Sequence, residues 1–222
     1  MIFAVIPSLD PPKRFAPLLD NLRAANIEIV VSDGGSDVAA LRIAIDHGAR
    51  IVCGHKGRGH QLARGAAYSG AGAQDWLLFV HADSELPENV SALLERHMAR
   101  HPQRAGYFQF RLDDTGLWPR FTEFWVGMRC MWLNLPYGDQ GLFIRKDLYD
   151  SVGGYNRQPL FEDVDMIRRL GGYRIKTLGG HLTTDAGKYR RDGYRRRTFS
   201  NLGLIIAYLK GESAQDIAKR YS

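Results

Sequence analysis

The chain has 222 residues and is 45% hydrophobic, enough for one sizeable core with an appendage rather than two full domains. Two cysteines, Cys53 and Cys130, exclude a disulfide framework and make a reducing cytoplasm the expected setting. The net charge is +6, and the stretch 188–197 alone carries +5, which points to phosphate or an anionic surface. No nucleic-acid motif accompanies that stretch, so nucleic acid is not expected as a partner.

Ile2 to Ile6 is a short apolar strand ended by Pro7. Phe15, Leu18, Leu19 and Leu22 recur at helical spacing, with Pro17 in the first turn. Ile27 to Val31 predicts a second buried strand, followed directly by Ser32-Asp33-Gly34-Gly35-Ser36-Asp37. A helix over 38–47 and a third strand over 49–53 come next. Gly54 to Gly59 is a glycine-rich loop carrying His55, Lys56 and Arg58, and a helix of small residues follows over 60–69.

Trp76 to Val80 is an unbroken apolar run, as in a strand buried on both faces. It stops at His81, Ala82, Asp83 and Ser84, and a helix is expected from Pro87 with Val90, Leu93, Leu94 and Met98 on one face. Strand and helix thus alternate four times in the first hundred residues, which predicts a parallel sheet covered on both faces. Polar groups at the carboxyl ends of such strands sit where open α/β sheets bind ligands.

The second half breaks this rhythm. Phe108, Phe110 and Leu112 alternate with polar residues as in a half-exposed strand, and 117–135 is a helical stretch rich in Trp, Phe and Met. It reads as a core helix, or as a surface helix that meets lipid or a greasy acceptor. No run reaches the ~18 apolar residues of a membrane span, and the chain start lacks the charged n-region of a signal peptide. A strand over 141–144, a short helix over 146–152, a helix over 161–170 opened by Glu162, Asp163 and Asp165, and a strand over 173–178 follow. Two helices, over 193–209 and 213–221, close the chain.

Three acidic clusters therefore follow strands or open helices: Asp33/Asp37, Asp83, and Glu162/Asp163/Asp165. Alone, each could be a turn or a helix cap. In this order they resemble the family 2 glycosyltransferases. The resemblance rests on Val5-Ile6-Pro7-Ser8, Val31-Ser32-Asp33-Gly34-Gly35-Ser36-Asp37, His81-Ala82-Asp83, Gly153-Gly154-Tyr155 and Phe161-Glu162-Asp163-Val164-Asp165. Residues 57–66 with 136–140 are similar to a small, soluble bacterial branch.

The resemblance implies a GT-A fold, with a Rossmann-like, mostly parallel sheet, helices on both faces and C-terminal helices. It implies one transferase domain over 1–192, with a nucleotide-sugar half over 1–100 and an acceptor half over 101–192, and a helical appendage over 193–222. The implied activity is inverting transfer of a sugar from a nucleotide diphosphate donor to an acceptor hydroxyl. Asp163 matches the base. Pro7, Ser8, Asp33, Arg58, Ala82 and Asp83 match the donor side, and Asp139, Gln140, Glu162 and Lys188 the acceptor side.

Asp83 matches the metal-binding carboxylate, with Mg2+ or Mn2+ as the implied cofactor. His81 stands where many members have a carboxylate; imidazole suits Mg2+ poorly, which makes His81 a support to the metal rather than a ligand. Asp185-Ala186-Gly187-Lys188-Tyr189 replaces the Gln-x-x-Arg-Trp motif of polymer synthases, an argument against processive synthesis. The implied partners are the donor, an acceptor that includes lipid-linked ones among its options, and an anionic membrane surface, which would make the protein cytoplasmic and peripheral on the inner face.

Two other classes fit part of the pattern. A nucleotidyltransferase of similar fold would carry a glycine-rich loop ending in Arg and Lys after the first strand, where this chain has Pro7-Ser8-Leu9-Asp10. A non-catalytic sugar-nucleotide or membrane-surface binding protein would have no need of Asp163.

Overall fold

The computed structural model describes residues 1–194, 203–205, 207–208 and 210–221. Seven strands form one sheet: β1 (Ile2–Ser8), β2 (Glu28–Asp33), β3 (Arg50–Cys53), β4 (Trp76–Phe79), β5 (Ala105–Leu112), β6 (Leu142–Arg145) and β7 (Ile175–Thr184). Their order is β3-β2-β1-β4-β6-β5-β7. The first four are mutually parallel, and β5 pairs with β7 in parallel. Only β6 is reversed, antiparallel to both β4 and β5.

Between them run α1 (Phe15–Ala24), α2 (Val38–Asp46), α3 (Arg58–Tyr68), α4 (Val90–Arg100), α5 (Leu117–Leu133), α6 (Lys146–Ser151) and α7 (Glu162–Leu170). After β7 come α8 (Gly187–Asp192) and, at the end of the described residues, α9 (Ala214–Tyr221). Side chains alternate across the strands, so the core has two layers. Ala4, Ile6, Val31 and Leu78 pack with α1 and α4 on one face. Phe3, Val5, Leu77 and Phe79 pack with α3, α6 and α7 on the other. Burial on both faces is why these strands are near-continuous apolar runs.

Some boundaries differ from the sequence-based expectation. α3 starts at Arg58 rather than His60, and α4 at Val90, three residues past Pro87. β7 runs on to Thr184 because Gly179 (φ +77°) and Gly180 (φ +95°) let the chain pass through a register shift against β5 instead of ending at Leu178. Gly193 (φ +83°) closes α8, and of the helix expected over 193–209 the described residues Tyr194, 203–205 and 207–208 are helical. Arg195 to Leu202, Ile206 and Leu209, which carried part of the basic and apolar expectation, lie outside the described residues, as does the side chain of Lys188.

The reversal of β6 positions the site. Leu142, the first residue of β6, pairs with Phe79, the last of β4. The turn before β6, Gly138–Gln140, therefore arrives at the edge where β1, β2 and β4 end. A bridge between Glu85 and Thr183 ties the loop after β4 to the far end of β7 at the same edge.

Candidate active site

At the ends of β1 and β2, Ser8 and Asp33 are buried. The Asp33 carboxylate accepts the Gly35 N–H at 2.7 Å, the Ser36 N–H at 3.0 Å and the Ser36 hydroxyl, so it folds its own turn. The buried Gln61 amide donates to Ser8 O at 2.7 Å and Ser32 O at 2.9 Å, stitching the two strand ends together. Arg64 donates to Asp33 O at 2.6 Å from the same helix. α3 lies flat on the sheet because residue 65 is glycine: a Cβ there would stand 2.5 Å from Val5 Cγ1. Pro7, Ser8 and Asp33 thus line one end of the edge on a rigid base.

The acidic end is built from four elements. Arg58, at the start of α3, donates to Glu162 and lies 3.5 Å from Asp163 Oδ2. Asp163 Oδ2 accepts the Gly138 N–H at 2.6 Å, and Oδ1 accepts the Val164 N–H at 2.7 Å. A Cβ on Gly138 would stand 3.0 Å from Asp163 Oδ2 and 3.1 Å from His81 Nε2, so any larger residue would push these side chains aside by a few tenths of an ångström. Burial raises the Glu162 carboxyl even against the attraction of Arg58, and its Oε2 has no hydrogen-bond partner. Burial likewise raises Asp139 to about 6; Arg129 and Arg58 pull it down, while the charges of Asp163 and Asp83 push it up. Asp139 Oδ1 is enclosed and also without a partner. Ala82 is buried between His81 and Asp83 at the end of β4.

Phe161, just before Glu162, takes a left-handed conformation (φ +60°), unusual for an aromatic residue. Its ring is buried and meets Tyr208 at 4.9 Å, which holds the backbone there and aims Glu162 and Asp163 at the sheet edge.

The acceptor-side loop depends on Arg129, a residue the sequence did not single out. From α5 its guanidinium lies 3.2 Å from the Tyr137 ring centroid. It also donates to Leu135 O at 3.0 Å and Gln140 Oε1 at 3.1 Å. Gln140 in turn donates to Phe108 O at 3.2 Å. The available signal was an arginine lodged among Val126, Cys130 and the aromatic residues of a helix face, which a half-buried cation needs a reason to occupy.

The structure therefore brings Arg58, His81, Asp139, Glu162 and Asp163 together, with Gln140 anchoring their loop. Pro7, Ser8 and Asp33 lie along the same edge. Arg58, expected against a nucleotide, is held by Glu162 and Asp163. α8, which carries Lys188, packs instead against Asp113 and Asp185 through Arg190.

Among the described residues, no three His, Cys, Asp or Glu side chains group closely enough to hold a metal by themselves. The donor set still suits a hard cation that takes one or two carboxylates and completes its shell with phosphate oxygens. The charge of Asp83 helps to raise Asp139, and Asp139 Oδ1 has an unused acceptor position.

Residues 3–158 match the model of glycosyl transferase family 2. No curated protein matches the sequence. Among solved structures, the chain is similar to glucosyl-3-phosphoglycerate synthase from Mycobacterium tuberculosis in complex with Mn2+, UDP-glucose and phosphoglyceric acid, at TM-score 0.57 and 19% identity over 83% of this chain and 71% of that one. It is similar to mannosyl-3-phosphoglycerate synthase from Rubrobacter xylanophilus at TM-score 0.57 and 17% identity, covering 91% of this chain and 75% of that one. It is also similar to residues 1–349 of S. aureus TarS at TM-score 0.61 and 14% identity, covering 83% and 60%.

Proposed function

Because the chain belongs to glycosyl transferase family 2, we propose that it moves a sugar from a nucleoside diphosphate donor to an acceptor hydroxyl in one inverting displacement. The observation that carries this reading is the meeting of Arg58, Glu162 and Asp163 with the Gly138 loop at the carboxyl edge of the sheet. A single displacement needs a base on the attacking hydroxyl and stabilisation of the departing diphosphate. Asp163 is the base in this reading: its Oδ2 faces the loop, and two directional contacts fix its orientation. Arg58 and the Gly138 N–H hold that oxygen, and Glu162 holds Arg58.

The donor half is 1–100. Ser8, Asp33 and Ala82 line the nucleotide end there, and Gln61 keeps the two strand ends in register. The acceptor half is 101–192, with Asp139 and Gln140 on the loop that Arg129 anchors; 193–222 is the appendage. Asp83, with Asp139 near it, would hold Mg2+ or Mn2+, and His81 would support it. When bound, the cation supplies positive charge to the diphosphate. The M. tuberculosis synthase was crystallised with Mn2+ and UDP-glucose, so UDP-sugars with Mn2+ are the first donors to try. The phosphoglyceric acid in the same complex makes a phosphate-bearing alcohol the first acceptor.

The experiment is release of nucleoside diphosphate from a panel of nucleotide sugars, with and without Mn2+, in the presence of such alcohols. Release that depends on the acceptor supports the transferase reading. Binding of a nucleotide sugar without turnover by any acceptor would favour a binding protein.

A further inference from the structure

α5 is apolar on both sides. Pro119, Thr122 and Cys130 are buried, and Val126 packs on the cluster of Phe110, Leu112 and Ala186. The opposite stripe, Trp118, Phe121, Phe124, Trp125, Met131 and Trp132, is 48–69% exposed. It repeats with a period of seven, since Met131 follows Phe124 and Trp132 follows Trp125 at that interval. Such a period keeps one stripe facing a partner helix. A contiguous face of this size is larger than single scattered apolar residues and marks an interaction surface.

Three observations identify the occupant. First, the stripe is nearly free of charge: the charged side chains of α5 are Arg120 and Glu123, bonded to each other at 2.5 Å, and Arg129, which points inward. Depletion of charge with enrichment of aromatics and Met is the composition of a protein interface core. Second, Gly127 leaves a notch one turn from both Phe124 and Met131, and a Cβ there would meet nothing within 4 Å. A glycine inside a helix costs about 0.5–1 kcal/mol against alanine, and nothing among the described residues packs into the notch to require it.

Third, the area matches. Large aromatic side chains bury ~150–250 Å² each, so this half-to-two-thirds exposed stripe offers roughly 600–800 Å², against ~800 Å² per partner in a standard interface. A bilayer fits less well. Interfacial helices pair an apolar face with free cations, whereas the two cations of the neighbouring α8 whose side chains are described are paired: Arg190 lies 3.3–3.6 Å from Asp113, Asp114 and Asp185, and Arg191 is bonded to Asp192 at 2.9 Å.

We propose that two copies of this chain pair through the exposed stripe of α5, helix against helix across a two-fold axis. The same patch on both copies then forms the interface. The pairing also braces Arg129, and through it the 137–140 loop, without touching the reacting residues. The proposal stands independently of the transfer reaction.

The test is sedimentation equilibrium of the whole chain across the micromolar range. The expected species has twice the 25.0 kDa mass of one chain. Phe124→Glu and Met131→Lys, both at exposed positions, should each weaken the dimer ~30-fold or more, as loss of an interface anchor does, with circular dichroism unchanged. A check without variants is acrylamide quenching of tryptophan fluorescence, which should rise on dilution as Trp118, Trp125 and Trp132 become accessible. A monomer at every concentration overturns the proposal. So does a dimer that survives both substitutions, or a monomer that instead sediments with phosphatidylserine vesicles.

Discussion

Asp139→Asn should make the protein more stable at neutral pH and leave its stability unchanged in acid. The Asp139 carboxyl is raised from 3.8 to about 6, chiefly by burial, with Oδ1 enclosed and unpartnered. Below 3.8 the folded and unfolded chains both keep the proton. Between 3.8 and about 6 the folded chain keeps it while the unfolded chain has released it, so stability falls as pH rises. Above about 6 the full cost of the buried charge is present, ~3 kcal/mol for that displacement at 1.36 kcal/mol per pH unit. Asparagine keeps the shape and carries no charge.

The difference between variant and wild type should therefore be near zero below the ordinary carboxyl range, open through the window, and level off by neutral pH. For a chain of this size ~3 kcal/mol corresponds to about 6–12 °C in Tm. Glu162, raised in the same direction, is present in both proteins and cancels. Thermal melts of the two proteins across the acidic-to-neutral range measure the difference directly. An Asn variant that is less stable at neutral pH, or a difference independent of pH, would refute the reasoning. A stabilised variant with reduced turnover would mark Asp139 as a group kept charged for function at a cost in stability.

Three further changes test the surrounding parts. Gly138→Ala places a methyl 3.0–3.1 Å from Asp163 and His81; turnover should fall well before Tm does, and unchanged kinetics would remove that loop from the site. Gln61→Met strands the carbonyls of Ser8 and Ser32; at ~1–3 kcal/mol for an unsatisfied buried group, urea melts should show a loss of at least ~1 kcal/mol and nucleotide affinity should weaken. Asp83→Asn should reduce the divalent dependence of nucleoside diphosphate binding in calorimetry more than His81→Ala does; equal effects would make His81 a ligand.

The alternation of strands and helices was legible because a parallel sheet buried on both faces leaves apolar runs that end in polar turns. Trp76–Phe79 followed by His81 and Asp83 is the plainest instance. The candidate residues were legible as residue types at strand ends. Their partners were not. Nothing local in Arg58 foretells a bond to Glu162, which lies 104 positions away. The reversed β6, which carries Asp139 to the site, has the same apolar pattern as a parallel strand. Asp33 is equally a turn residue and a ligand contact in sequence, and only its three internal donors show how the turn is closed. The left-handed Phe161 leaves no trace in composition. Arg129 was hidden because a cation inside an aromatic helix resembles surface decoration until its carbonyl and amide partners are in view.

In the proposed mechanism everything turns on Asp163 taking the proton from the acceptor. The direct measurement is the turnover rate of Asp163→Asn against wild type, on a donor shown to bind both, with Glu162→Gln and Asp165→Asn alongside. Asp165 pairs with Arg169 at 2.7 Å on α7 and should tolerate the change. General-base catalysis is worth ~10²–10⁴-fold, so kcat of Asp163→Asn should drop by at least the lower figure while donor affinity holds, and Glu162→Gln should lose less. Full activity in Asp163→Asn, with activity abolished in either neighbour, would contradict the assignment of the base.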